Sequence, residues 1–229
     1  MKTSYKKREF IRLFDEDFSV ISEIIFEDCF FRNSAFSYCE SPDSRSVARD
    51  LEFINCGQRR CIVEAGILDN VLINNLETDG QLLQFFGTAL RHVKLEGEIG
   101  PLMFSSCVDL LGKNPARQEA FDLANKSYYK GVDWALDIKD AYFGAIDLRG
   151  IPGNLVRRDE ESQGLVLKSD LADGQWANLE FEGTHWRTTL EMIRDSKWDA
   201  GILAVPRLHR DAETFQKVLN VLRAEGFAR

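Results

Sequence analysis

Between Ala135 and Ile151 the chain reads ALDIKDAYFGAIDLRGI, and its apolar residues fall at Leu136, Ile138, Ala141, Phe143, Ile146, Leu148 and Ile151. The gaps alternate two and three, a five-residue period. An amphipathic helix needs an apolar residue at 139 or 140, where Lys139 and Asp140 stand, and a plain strand needs strict alternation through Asp140. Neither period fits. A chain that turns a corner after each short extended segment does fit, because each side then points two side chains inward and leaves the rest for corner and solvent. In the pentamer IDLRG, Leu148 is central, Ile146 stands two before it and Gly150 falls at the bend.

The same register recurs upstream. Ile24 goes with Phe26, Cys29 with Phe31 and Ser34 with Phe36. After a break, Leu51 goes with Phe53, Cys61 with Val63, Gly66 with Leu68 and Val71 with Ile73, while Gln58 and Thr78 occupy central positions. A further run gives Leu83 with Phe85, Thr88 with Leu90 and Val93 with Leu95. These runs resemble the pentapeptide-repeat family, whose unit is a small residue, Asp or Asn, Leu or Phe, a polar residue and Gly. The resemblance covers about residues 14–183, with interruptions. It implies a mainly β fold, a right-handed parallel quadrilateral β-helix in which the central residue and the one two before it point inward. An irregular β-helix of roughly 20 to 22 residues per coil, as polysaccharide-active enzymes have, is the competing reading.

Five segments are expected: a charged cap or arm over 1–13, coils over 14–110, a helical insertion over 111–131, further coils over 132–183 and a helical cap over 184–229. Residues 40–50, ESPDSRSVARD, break the register as a loop. Asn114 and Pro115 read as N-cap and first helical position, followed by a helix of about 12 to 15 residues that packs on a coil face or projects Tyr128 and Tyr129. Leu179 and Phe181 form the last expected inward pair. Beyond them, Thr188 to Ser196 reads as a short helix, and Phe215, Val218, Leu219 and Leu222 mark a second ending at Gly226.

Asp15, Glu16, Asp17 and Glu23 interrupt the apolar stretch behind the basic N-terminus, which argues against a secretory leader, so a cytoplasmic location is expected. Cys29, Cys39, Cys56 and Cys61 fall on the inward two-before phase, which suits reduced core thiols better than a disulfide framework or metal site. His92, His185 and His209 share no motif spacing, and nucleophile-elbow, phosphate-loop and zincin patterns do not occur. No catalytic, cofactor or metal residue is therefore assigned, and the chain reads as a non-enzymatic binding protein.

Charge is unevenly spread. The coil segments carry a net charge of −12 and the helical segments +4, giving the total of −8. An acidic rod of this kind repels nucleic acid and attracts basic protein surfaces. The favoured function is sequestration of one protein partner, as bacterial immunity proteins do for a toxin. The expected contact residues are Asp43, Arg45, Tyr128, Tyr129, Arg157, Arg158 and Glu160. The resemblance also implies an alternative, mimicry of duplex DNA toward a type II topoisomerase such as DNA gyrase, although Arg59, Arg60, Arg91 and Lys94 interrupt the acidic pattern. It further implies a homodimer through the C-terminal helix. A sugar-binding groove using Trp134, Trp176, Trp186 or Trp198 is a third reading. Neither membrane nor direct nucleic-acid binding is expected.

Overall fold

The computed structural model describes residues 2–108 and 113–229. It is mainly β, with long parallel strands in stacked sheets and, among the described residues, three α-helices: α1 (Pro115–Tyr129), α2 (Trp186–Asp195) and α3 (Ala212–Ala224). The main sheet runs in the order Thr3–Lys6, Ile24–Glu27, Val47–Arg59, Ile67–Glu77, Ala89–Ile99, Leu136–Phe143 and Val156–Arg157, all parallel. A second parallel sheet stacks Ala35–Phe36, Ile62–Glu64, Leu83–Phe86, Leu102–Ser105 and Ile146–Asp147.

Register shows how the chain advances. Phe53 lies opposite Ile73, twenty residues on, and Leu72 lies opposite Lys94, twenty-two residues on. The expected 40–50 loop lengthens one rung, so that Ile25 meets Glu52. The expected helix lengthens another, so that Val93 meets Leu136. Asn114 caps α1 as its sequence suggests, its side chain accepting the Arg117 N–H at 3.0 Å.

The corners repeat every five residues. Glu23, Asp28 and Asn33, and then Asp50, Asn55, Arg60, Ala65, Asn70 and Asn75, all have φ between 49° and 60°. This left-handed conformation favours glycine, because a Cβ there crowds the following carbonyl. Between the corners, Leu51, Val71, Ile73, Leu83, Phe85, Leu90, Val93 and Leu95 are buried as the five-residue register requires. Rings line up along the ladder: Tyr5 stacks on Phe26 at 5.7 Å and Phe26 on Phe53 at 5.0 Å.

Both ends differ from the sequence reading. Residues 1–13 were expected as a cap or arm, but Thr3–Lys6 and Glu9–Ile11 pair in parallel with Ile24–Glu27 and Phe30–Arg32. Tyr5 and Phe10 supply the inward rings that make this a rung of the ladder. Its outer edge is open, and Phe14 and Phe18 are each 67% exposed there.

At the other end, the coils expected to continue to 183 stop at the pairing of Asp137 with Arg157. Gln163–Leu167 instead pairs antiparallel with Ala200–Ala204, and Leu179 and Phe181 pack with α2 and α3 in a second core. The Ala200–Ala204 strand joins the two cores, turning Ile202 and Ala204 to the ladder and Leu203 to the helices. It crosses so close to Gly153 that a Cβ there would lie 2.8 Å from the Ala200 and Gly201 backbone. The apolar face of α3 is spent on this second core, where Phe215, Val218, Leu219 and Leu222 are buried. The expected boundary between coils and helical insertion, 110 to 111, lies outside the described residues. No helix among the described residues is long and apolar enough to cross a membrane.

Candidate functional site

The expected contact residues separate into three places. Asp43 and Arg45 lie on or beside the short 3-10 turn Pro42–Ser44, near α1, which carries Tyr128 and Tyr129. Asp43 is exposed, but Arg45 and Tyr129 are 8% and 6% exposed and are removed from the contact set. The reason is the way α1 lies on the ladder. Phe121 is fully buried, and Arg45 stacks on its ring at 4.8 Å. Burial pushes the Arg45 guanidinium pKa down. The Leu90 N–H donates to the Tyr129 hydroxyl at 3.1 Å, and the Asn125 amide donates to the Gly87 carbonyl at 3.1 Å. Arg117 completes the attachment, pairing with Glu64 at 3.0 Å and donating to the Cys39 carbonyl at 2.7 Å.

Arg158 and Glu160 belong to a turn held by the C-terminal unit. Arg158 donates to the Arg229 carbonyl at 3.4 Å, and the Glu160 carbonyl accepts from Arg223. Asp159 organises this turn, accepting from the Ser162 hydroxyl at 2.6 Å and the Glu161 N–H at 3.0 Å. Burial works against its charge, yet these donors outweigh it and hold the carboxyl pKa below its ordinary value.

Arg157 points elsewhere, onto the ring of Trp134 at 4.2 Å. His92 contacts the same indole at 4.6 Å, and its Nε2 lies 2.7 Å from Asp133. That hydrogen bond lowers the Asp133 pKa. In the strand order Trp134 falls between them, since His92 is on Ala89–Ile99, Trp134 just precedes Leu136–Phe143 and Arg157 ends Val156–Arg157. The half-exposed indole is thereby fixed by a neighbour from each adjoining strand.

Arg91, next to His92, extends this patch. Asp69 is buried between Arg91 and Arg49, with a 3.2 Å contact to the Arg49 Nε. The Arg91 hydrogen bond is the main cause of its depressed carboxyl pKa. Tyr128 lies in the field of this triad, and burial raises its hydroxyl pKa. Tyr128, Arg91, His92, Trp134 and Arg157 thus make one aromatic and cationic surface. Among the residues chosen from sequence, it includes Tyr128 and Arg157. His92, Asp69 and Arg91 were missed, and Trp134 was weighed only for sugar stacking; the available signal was the Asp133-Trp134 pair directly ahead of the five-residue run.

The other two histidines lie around Phe215, His185 at 5.3 Å and His209 at 6.3 Å between ring centres. Burial lowers the His185 pKa. No group of three or more metal-ligating side chains occurs among the described residues. No family model matches the sequence, and no curated protein matches it.

Proposed function

We propose that the chain is a pentapeptide-repeat-type solenoid, a right-handed quadrilateral β-helix, that acts without chemistry of its own as a scaffold for one protein partner. The role favoured is that of an immunity protein in the cytoplasm, sequestering a cognate toxin. The single observation that carries this reading is the Trp134 indole held half-exposed by His92 and Arg157. Trp, Tyr and Arg dominate the energetic centres of protein interfaces, and a side chain fixed before binding loses little entropy on docking. The net charge of −6 on residues 2–108 and 132–157, which carry the ladder, suits a basic partner and fast, salt-sensitive association.

The test is capture of the tagged protein's partners from its native cells at low and moderate salt, followed by co-expression with any toxin domain recovered. Trp134→Ala is expected to weaken binding by on the order of 2 kcal/mol, roughly thirtyfold in Kd, and to abolish rescue. Unchanged affinity for a recovered toxin would remove this surface from the proposal. The DNA-mimic alternative receives less support, because cross-rung ion pairs such as Lys2–Glu52, Lys6–Glu27 and Arg59–Asp79 interrupt the acidic surface. Inhibition of gyrase supercoiling by the purified protein would restore it.

A further inference from the structure

Inside the first rungs the ladder is not filled. A cavity of about 320 Å³ lies among Phe26, Phe31, Phe53, Val63, Ile73 and Phe85. It opens where the columns of inward rings stop. Phe36, Val63 and Phe85 occupy one column in successive rungs, continued by Phe104, which stacks on Phe85 at 4.4 Å. Val63 interrupts that run of rings. In a neighbouring column Phe31 is followed by Gln58, a second interruption.

Three polar side chains, Asp15, Ser34 and Gln58, also line the cavity. Gln58 is 4% exposed; its Oε1 accepts the Cys61 N–H at 3.1 Å, while its Nε2 has no protein partner. Asp15 accepts the Ser37 N–H through Oδ1 at 2.6 Å, and its buried Oδ2 likewise has no protein partner. Both unmatched atoms are closed off even from a water-sized neighbour, so the wall that the chamber presents is almost wholly apolar. No lysine or arginine is among the described lining residues, and Asp15 stands at the wall, which disfavours an anion.

We infer that this cavity binds an uncharged, apolar small molecule. The volume is about twice the ~150 Å³ of an apolar cavity that accepts benzene, so the ligand has roughly ten to twelve carbons. Entry is past Leu13 and Phe14, which line the cavity and are themselves exposed, on a segment joined to the neighbouring rung by the bridge of Phe14 to Ala35. This inference does not depend on the protein-binding surface, which lies around Trp134.

The test uses 1-naphthylamine fluorescence on the full chain, with naphthalene and 1-naphthalenesulfonate as competitors. Saturable one-to-one binding is expected, with naphthalene displacing the probe at a concentration at least tenfold lower than the charged 1-naphthalenesulfonate. Val63→Phe restores the column of rings; it is expected to weaken the probe at least tenfold while raising the thermal midpoint, which separates filling from unfolding. Phe18→Ser, at the exposed end and outside the cavity, is expected to change nothing. Absence of saturable binding, equal displacement by the two competitors, a folded Val63→Phe that binds as before, or loss of binding in Phe18→Ser would each overturn the inference.

Discussion

Asn55 and Asn75 occupy the same corner on successive rungs, with φ of 52° and 54°, and the Asn75 amide donates to the Asn55 side-chain oxygen at 2.9 Å. Asn75 Oδ1 in turn accepts the Glu98 N–H at 2.9 Å. The rung beyond places Gly97 beside them, with φ of 69°. Asparagine tolerates the left-handed region better than most residues, and here its side chain also ties one rung to the next. The corners therefore contribute to stacking as well as to direction.

Corner chemistry sets the sign of two substitutions. Arg60, exposed with φ of 55°, carries a Cβ in a conformation that costs an L-residue roughly 1–2 kcal/mol, against roughly 0.5–1 kcal/mol for the extra backbone entropy of glycine. Arg60→Gly is expected to stabilise the chain by about 0.5–1 kcal/mol and to raise the thermal midpoint by roughly 2 °C. Asn75→Val, which places a β-branched residue at φ of 54° and removes three side-chain hydrogen bonds, is expected to cost about 2 kcal/mol or more. Calorimetry on the two variants checks both signs.

Asp69 supplies a pH dependence. Its carboxyl pKa is held low chiefly by the Arg91 hydrogen bond, with further help from Arg49 and against the cost of burial. A depressed folded-state pKa means the unfolded chain binds the proton first. The stabilisation is therefore complete above the unfolded carboxyl pKa of about 3.9 and is lost as pH falls through the lower folded value. Asp69→Asn is expected to cost about 1–2 kcal/mol at pH 7 and to reduce the acid-side slope of stability. Urea titrations at pH 7, 4 and 3 on both proteins measure it; parallel profiles would show that Asp69 carries no such linkage.

Attachment of α1 rests on few buried polar contacts. Tyr129→Phe leaves the Leu90 N–H buried without its acceptor, an expected loss of about 1–3 kcal/mol. Arg117→Met leaves Glu64 without its buried partner, an expected loss of about 3–5 kcal/mol. Tyr128→Phe, at the half-buried ring beside Tyr129, is expected to stay within about 0.5 kcal/mol. Amide hydrogen exchange should show α1 losing protection ahead of the ladder in the Arg117 variant.

The five-residue alternation was legible because inward positions must be apolar wherever two short strands meet a closed interior. Helix α1 was legible from Asn114-Pro115, and α3 from the spacing of Phe215, Val218, Leu219 and Leu222. The corners were not: Glu23, Arg60 and Asn70 look like ordinary solvent-facing residues until register places them at positive φ. Arg45 resembled a contact residue because arginine is usually exposed; only Phe121, more than seventy residues away, buries it. The Gln163–Leu167 and Ala200–Ala204 pair was hidden because the first strand reads as a continuation of the coils and the second lies in the stretch that reads as helical. At the candidate site, Trp134 gains meaning only when His92 and Arg157 arrive from neighbouring strands.

The cysteines give a chemical check of the interior. All five are free, and Cys29, Cys39 and Cys56 are buried. Burial raises the Cys56 thiol pKa to about 11, and its Sγ–H lies 3.4 Å from the Phe26 carbonyl. At pH 8 the thiolate fraction of Cys56 is then about one in a thousand, and access is blocked as well. Ellman's reagent is expected to leave Cys56 unmodified in the native protein and to modify it on unfolding in guanidinium. Peptide mapping after a short pulse at pH 8 identifies the reactive sites. Rapid native labelling of Cys56 would mean that the ladder opens between the Ile24–Glu27 and Val47–Arg59 strands far more readily than its stacked rings imply.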